Sequence, residues 1–382
     1  MLLAACHAAN DAPPIDTPAD TTADSTAASC ASGAFCDGVT GLCAEEPVCS
    51  VASPCATATV NGNKVTNETS AFSPPTCNRN GFNDAPPRTW TDAVNGQARA
   101  ACVYVPPNAS TTLQRPLILF LHGSGTSGDQ VYTTTLLRAK AATFDLTGDP
   151  MRPGFVLASD TARIVHGTLP GGNGAQVHEV YFRDFGSPSS SSDFRNFDRL
   201  IDELVATGKV DPKRIYIVGY SNGGFAGQLY GLARYSTPTP GGNYVAAVAL
   251  YGAASPLYEP MAGLDACRYQ PFPHVALPIM ILHRACDWEP CDATQLVTMG
   301  RPPGYSIADW LTTLATQIGS IDSIGMILDD AGNVVTACDN GPTCTISRGL
   351  TNHGHWPDGQ HDGGGIDHEP DMLAFLRAHP HP

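Results

Sequence analysis

A chain of 382 residues with 42 % hydrophobic content can bury one large core and still carry an appendage. A formal charge of −15 and the lack of any basic run exclude counterion-releasing contacts with nucleic acid, and equally an electrostatic hold on an anionic membrane. No apolar run approaches the roughly eighteen residues that a bilayer-spanning helix needs. Charged residues make up only 15 %, whereas Gly (38) and Pro (32) are abundant, a loop-rich, extracellular style of composition. Thirteen cysteines without a CxxC pair read as disulfides formed in an oxidising compartment.

Taken in chain order, Leu3, Ala4, Ala5 and Cys6 resemble a bacterial lipobox, which makes Cys6 a candidate lipid anchor. Removing it leaves an even twelve cysteines (13 − 1) for pairing. The few residues before Cys6 are too short for a charged region and a full apolar segment, so either the start lies inside a longer signal peptide, the expectation that the disulfides favour, or the lipobox is a coincidence. The expectation is therefore a secreted or outer-membrane-anchored, extracytoplasmic bacterial protein. Residues 1–29, rich in Ala, Thr, Asp and Pro, cannot offset their ordering entropy by burial and read as a tether. Residues 30–84 begin with Cys30, Cys36, Cys43, Cys49 and Cys55 among glycine turns, the pattern of a small disulfide-stapled segment. A metal knuckle would need His and tighter Cys pairs.

Residues 85–382 read as the main domain. Residues 88–91 and 99–105 suggest two opening antiparallel strands, and 116–121 a buried strand running into a glycine-rich loop. A helix is expected over 131–144, a strand over 154–159 and a helix over 193–207. Further strands follow at 215–218, 244–251 and 277–283, then a helix at 307–318. Residues 325–347 read as a hairpin pinned by a Cys338–Cys344 bridge, and a closing helix spans 369–379. Strands alternating with helices at this spacing imply an α/β fold, a mostly parallel sheet covered on both faces.

The chemistry concentrates in GYSNG over residues 219–223, a G-x-S-x-G motif between an apolar strand and a helical pattern. A strand that turns sharply into a helix holds its central residue at strained dihedrals, so its flanking positions must lack side chains. Ser221 Oγ then projects above the sheet, over a helix N-terminus that favours developing negative charge. In α/β-hydrolases the acid and base follow the nucleophile in that order. Asp287, just beyond the 277–283 strand, is the expected acid, with Glu289 as the alternative. His355, in the loop before the closing helix, is the expected base, with His353 as the alternative. His361 and His368 are expected to be solvated, and His122 to make structural hydrogen bonds. The oxyanion of a tetrahedral intermediate needs two fixed backbone donors, assigned to the N–H groups of Asn222 and Ser124. Tyr181, Phe182, Trp288 and Trp356 are candidate substrate-binding aromatics, each with core packing as its alternative. Asp362, Asp367, His368 and Asp371 sit in an exposed-looking loop, and no metal site is expected there.

VDPKRIYIVGYSNGG over 210–224 resembles the nucleophile region of secreted feruloyl esterases and polyhydroxybutyrate depolymerases, grouped around carbohydrate esterase family 1. GHWP over 354–357 is similar to that family's GHxWP histidine loop, and residues 119–125 to its strand and oxyanion loop. The likeness covers roughly 88–380. It implies an α/β-hydrolase fold, a serine esterase mechanism, no cofactor, and a small ester, ester-decorated polysaccharide or polyester as substrate. His355 and Trp356 are adjacent here, where the family has one residue between them. The acid loop reads HRACD (283–287) in place of HGTxD, with Cys286 and Cys291 expected to staple it to each other or to Cys267. The expected activity is that of a feruloyl-type plant cell-wall esterase; a polyhydroxyalkanoate or other polyester depolymerase with the same site, a serine peptidase on the same triad, and a non-catalytic surface polysaccharide-binding protein are the rival readings.

Overall fold

The computed structural model describes residues 35–36, 43–44, 74–94, 96, 98–165, 175–178, 180, 185–253, 255–256, 272–285, 287, 291–292, 294, 306–329, 332–336, 338, 356–357 and 366–382. Its centre is a nine-stranded sheet. The strands are β1 (Arg88–Thr91), β2 (Ala98–Tyr104), β3 (Arg115–Leu121), β4 (Val156–Thr161), β5 (Val210–Tyr220), β6 (Ala247–Tyr251), β7 (Ile279–Arg284), β8 (Ile324–Leu328) and β9 (Val334–Val335). They lie in the order β1-β2-β4-β3-β5-β6-β7-β8-β9. β3 through β8 are parallel, while β1, β2 and β9 pair antiparallel at the two ends. This is the strand order of the α/β-hydrolase fold.

The apolar runs explain why the sheet is covered twice. Successive side chains on a strand point to opposite faces, so a strand buried on both sides reads as unbroken hydrophobicity. In β3, Leu117, Leu119 and Leu121 enter one core and Ile118 and Phe120 the other. In β5, Ile215 and Ile217 share the first core, while Tyr216 and Val218 share the second. The first core is closed by α3 (Ser192–Ala206), α4 (Asn222–Arg234) and α5 (Ile307–Thr313). The second lies under α1 (Gln130–Thr133), α2 (Leu137–Lys140) and α6 (Glu369–Ala378).

Three sequence expectations are corrected. The single helix over 131–144 is broken into α1 and α2, because the threonine run competes for backbone groups. Thr135 Oγ1 donates to Val131 O (2.7 Å) and accepts from Leu137 N (3.2 Å), while Leu136 N donates to Glu369 Oε1 (2.8 Å). The Cys338–Cys344 bridge is replaced by Cys291–Cys338, which ties the β9 side of the sheet to the loop after β7. Strands β8 and β9 still form a hairpin. The domain boundary at 84/85 also falls too late. Cys77 is bonded to Cys102 in β2, Cys77 N donates to Asp129 (2.9 Å), and Asp84 forms a two-point ion pair with Arg138. Residues 74–84 thus belong with the main domain. Of the cysteine-rich segment before them, only a backbone pairing of Phe35–Cys36 with Cys43–Ala44 is described.

Candidate active site

β5 ends at Tyr220 and α4 begins at Asn222, so Ser221 alone makes the turn. It does so at φ 50° and ψ −119°, a backbone conformation that an L-residue adopts only under strain. Ser221 N donates to Tyr251 O (2.9 Å), and Ser221 O accepts from Gly224 N and Phe225 N (2.8 and 3.1 Å), which hold the turn from both sides. The glycines around it are sterically required. A Cβ on Gly219 would stand 2.5 Å from Gly223 O, and one on Gly223 would stand 2.1 Å from Leu121 O and 2.5 Å from His122 O. A Cβ on Gly224 would meet Ala253 Cβ at 2.6 Å. The same economy runs up α4, where a Cβ on Gly231 would meet Val248 Cγ2 at 2.5 Å, so the helix packs there with its backbone against the sheet.

Gly223→Ala is accordingly expected to cost at least about 3 kcal/mol, the upper end of ordinary overpacking, because backbone confronts the new methyl on two sides. Gly125→Ala, at φ +74° with open space around its Cβ position, should cost about 1–2 kcal/mol. Thermal melts of the two variants check the ordering; equal melting temperatures would mean that the elbow tolerates side chains.

The loop after β3 faces the elbow. A Cβ on Gly123 would lie 3.6 Å from Ser221 Cβ, which places this loop directly beside the nucleophile. Gly123 N donates to Gln130 Oε1 (2.7 Å) and Gly125 N to Gln176 O (2.9 Å), so both glycine amides are already engaged. Ser124, between them, is exposed. His122 is fully buried: Nδ1 contacts Gly123 O at 2.7 Å and Nε2 accepts from Ala162 N at 2.9 Å. That pattern fixes the neutral tautomer protonated at Nδ1, and burial holds the imidazole down at about 4.

This pKa carries a stability prediction. Between pH 6.5 and 4 the unfolded chain protonates at His122 while the folded one does not, so this contribution is complete above pH 6.5 and is lost as pH falls. Burial pushes Asp160 and Glu369 up to about 7, which acts in the opposite sense over the same window. A difference measurement therefore isolates His122. The stability gap between wild type and His122→Asn should narrow by about 3 kcal/mol from pH 7 to pH 4 in urea titrations. A constant gap would contradict a buried neutral His122.

Asp287 lies on the turn after β7, 7 % exposed, with its Oδ2 3.9 Å from His283 Nδ1. A Cβ on Gly252, which follows β6, would stand 3.5 Å from that same oxygen. Ser221 after β5, Gly252 after β6 and Asp287 after β7 thus occupy the carboxyl ends of three neighbouring parallel strands. The Cys291–Cys338 disulfide anchors the chain four residues beyond Asp287. Glu289, Trp288, Cys286 and Cys267 lie outside the described residues, as do His353, His355, His361, Tyr181 and Phe182.

Trp356 is corrected from a substrate platform to a core residue. It is fully buried, edge-on to Phe120, Tyr220 and Tyr251 at 5.7, 6.0 and 5.9 Å between ring centroids. Its indole N–H donates to Glu369 Oε1 (2.6 Å), and Glu369 also accepts from Lys140 Nζ (2.7 Å). An aromatic ring with a satisfied polar edge is well suited to such a site. The residue adjacent in sequence to His355 is thereby held against Tyr220, the neighbour of Ser221. His368 is likewise corrected from solvated to buried. Its Nδ1 meets Asp371 at 2.8 Å and its Nε2 donates to Gly332 O at 2.6 Å. Asp367 is engaged by Lys140 Nζ (2.7 Å).

One contact at the elbow carried no sequence signal. The Asn222 side chain, 6 % exposed, turns away from the helix to residue 178: its Oδ1 accepts from His178 N (2.7 Å) and its Nδ2 donates to His178 O (3.3 Å).

No protein-family model and no curated protein matches the chain. Among solved structures, it is similar in chain path to a thermostable esterase at 14 % identity and TM-score 0.42, over 77 % of this chain and 62 % of that one. The chain thus spans less than two thirds of that esterase. It is also similar to the apo form of Thermogutta terrifontis esterase 2 (15 % identity, TM-score 0.41, 64 % of this chain and 83 % of that one). An S-formylglutathione hydrolase from Agrobacterium tumefaciens gives 16 % identity and TM-score 0.41, over 64 % and 85 %. Likeness at this level identifies no reaction.

Proposed function

We propose that the protein is a serine carboxylic ester hydrolase working through Ser221, His355 and Asp287. One observation carries the reading: Ser221 sits at φ 50° between a parallel strand and a helix, among glycines that admit no Cβ, with the 122–125 loop at its side. In this mechanism Ser221 Oγ attacks the ester carbonyl carbon as His355 takes its proton. The N–H groups of Ser124 and Asn222 receive the oxyanion. The tetrahedral intermediate collapses by breaking the bond to the alkoxy oxygen, which takes the proton from His355 and leaves as alcohol. Water then attacks the acyl-enzyme by the same route and releases the acid. Asp287 holds the imidazole in the tautomer that can accept the serine proton.

The proposed substrates are feruloyl-type esters of plant cell-wall polysaccharide, on the strength of the 210–224 and 354–357 motifs. Tyr181, Phe182 and Trp288 are the aromatics assigned to the acyl group, Trp356 being committed to the core. The disulfides Cys77–Cys102 and Cys291–Cys338 support an extracytoplasmic location, with Cys6 as the proposed lipid anchor. Turnover of methyl ferulate, feruloylated arabinoxylan, p-nitrophenyl acetate and a polyhydroxybutyrate film tests the assignment. Preference for the feruloyl substrates is the expected result. Film clearing with poor feruloyl turnover would make the protein a polyester depolymerase instead, and inertness towards every ester would overturn the reading.

A further inference from the structure

An oxyanion hole lowers the barrier only if its donors are fixed before charge develops. Here the two donors sit on different elements, Ser124 in the loop after β3 and Asn222 at the start of α4, so something must fix their separation. Residues 175–178 are bonded to both. Ala175–Gln176 pairs antiparallel with Ile164–Val165, and Val177 N donates to Arg163 O (3.0 Å), which anchors this segment to the chain leaving β4. From there Gln176 O accepts from Gly125 N (2.9 Å), immediately after Ser124. Two residues on, His178 exchanges both of its backbone hydrogen-bonding groups with the Asn222 amide. The His178 ring lies 4.7 Å from that of His122, whose Nδ1 meets Gly123 O (2.7 Å).

Asparagine suits this place because its side chain offers an acceptor and a donor side by side, matched to one residue's N–H and C=O. Alanine would leave the buried His178 N–H without its partner and release the elbow from the 175–178 segment.

We propose that Asn222 is a positioning residue of the oxyanion hole. Its side chain couples residues 175–178 to the elbow and thereby sets the distance between the Ser124 and Asn222 N–H groups. This inference rests on the ester hydrolase reading.

The test compares wild type, Asn222→Ala and Ser221→Ala on p-nitrophenyl acetate, together with inhibition by phenylboronic acid, which forms a tetrahedral adduct on a serine oxygen. Asn222→Ala should lower kcat by about 10- to 100-fold with KM within about threefold, somewhat less than deletion of an oxyanion donor outright. Boronate affinity should fall by a factor similar to kcat/KM, because both report the tetrahedral state. If Asn222→Ala does not fold, the isosteric Asn222→Asp, which keeps an acceptor for His178 N–H and loses the donor, serves for the same comparison. An active, Ser221-dependent wild type whose Asn222 variant loses only thermal stability, with kcat and boronate affinity unchanged, would overturn the inference and leave the hydrolase reading standing. A wild type that is inert, or a Ser221→Ala variant that still turns over, would bring both down.

Discussion

Ser221→Ala is expected to lower ester turnover by roughly 10⁵- to 10⁶-fold, on the scale seen when other serine hydrolases lose their nucleophile. The melting temperature should stay within about 2 °C of wild type. The substitution deletes one oxygen and keeps the Cβ. Alanine tolerates φ 50° about as poorly as serine, so the strain is retained rather than relieved. The bonds that hold the elbow, Ser221 N to Tyr251 O and Gly224 N to Ser221 O, are made by the backbone and survive. Any residual rate would come from the oxyanion donors and substrate binding alone. Steady-state kinetics with a melting curve on the same sample make the comparison. Turnover within tenfold of wild type would remove Ser221 from the mechanism.

Asp287→Asn is the second large effect, expected to cost about 10⁴-fold in kcat with KM little changed. The reason is geometric. A carboxylate accepts the imidazole Nδ1–H and so leaves the other nitrogen free to take the serine proton, whereas an amide can stabilise the wrong tautomer. Asp287 is almost fully buried beside Gly252, with the next chain segment tethered by Cys291–Cys338. Burial of this kind would suit a triad acid, which must be oriented without reorganisation. Kinetics of Asp287→Asn and Glu289→Gln side by side decide between the two carboxylates; a larger loss from Glu289→Gln would transfer the role of acid.

The fold was legible where local and global signals agree. The unbroken apolar runs in β3, β5 and β7 could be satisfied only by burial on both faces, and the GYSNGG spacing is imposed by contacts that leave no room for Cβ atoms. What escaped depends on partners distant in sequence. The break between α1 and α2 needs Glu369 to receive Leu136 N as well as the local pull of Thr135. Trp356 could be read as platform or as core, and the core place follows once its indole N–H is seen to meet Glu369. His368 looked solvated in a glycine-rich stretch, yet Gly332 O, 36 residues away, takes its Nε2. Disulfide partners follow from Cα separation and direction, so Cys338 could not be assigned to Cys291 before the sheet brought them together. The Asn222 side chain was hidden for a related reason, its motif position accounting only for its backbone.

Among the site residues, Ser221, Asn222, Ser124 and Asp287 are brought to the same end of the sheet by consecutive features of one topology. β3 delivers the loop with Ser124, β5 the elbow, and β7 the turn with Asp287. Trp356, next in sequence to His355, is fixed against Tyr220 and Tyr251 at that same end.

In the proposed mechanism Ser221 forms the covalent intermediate. The most direct measurement is reaction of the intact protein with a fluorophosphonate, followed by intact mass and peptide mapping alongside residual activity on p-nitrophenyl acetate. One adduct per chain is expected, on the peptide carrying Ser221, appearing in step with loss of activity and absent from Ser221→Ala. Full activity with Ser221 modified, or inactivation with the adduct on another residue, would contradict it.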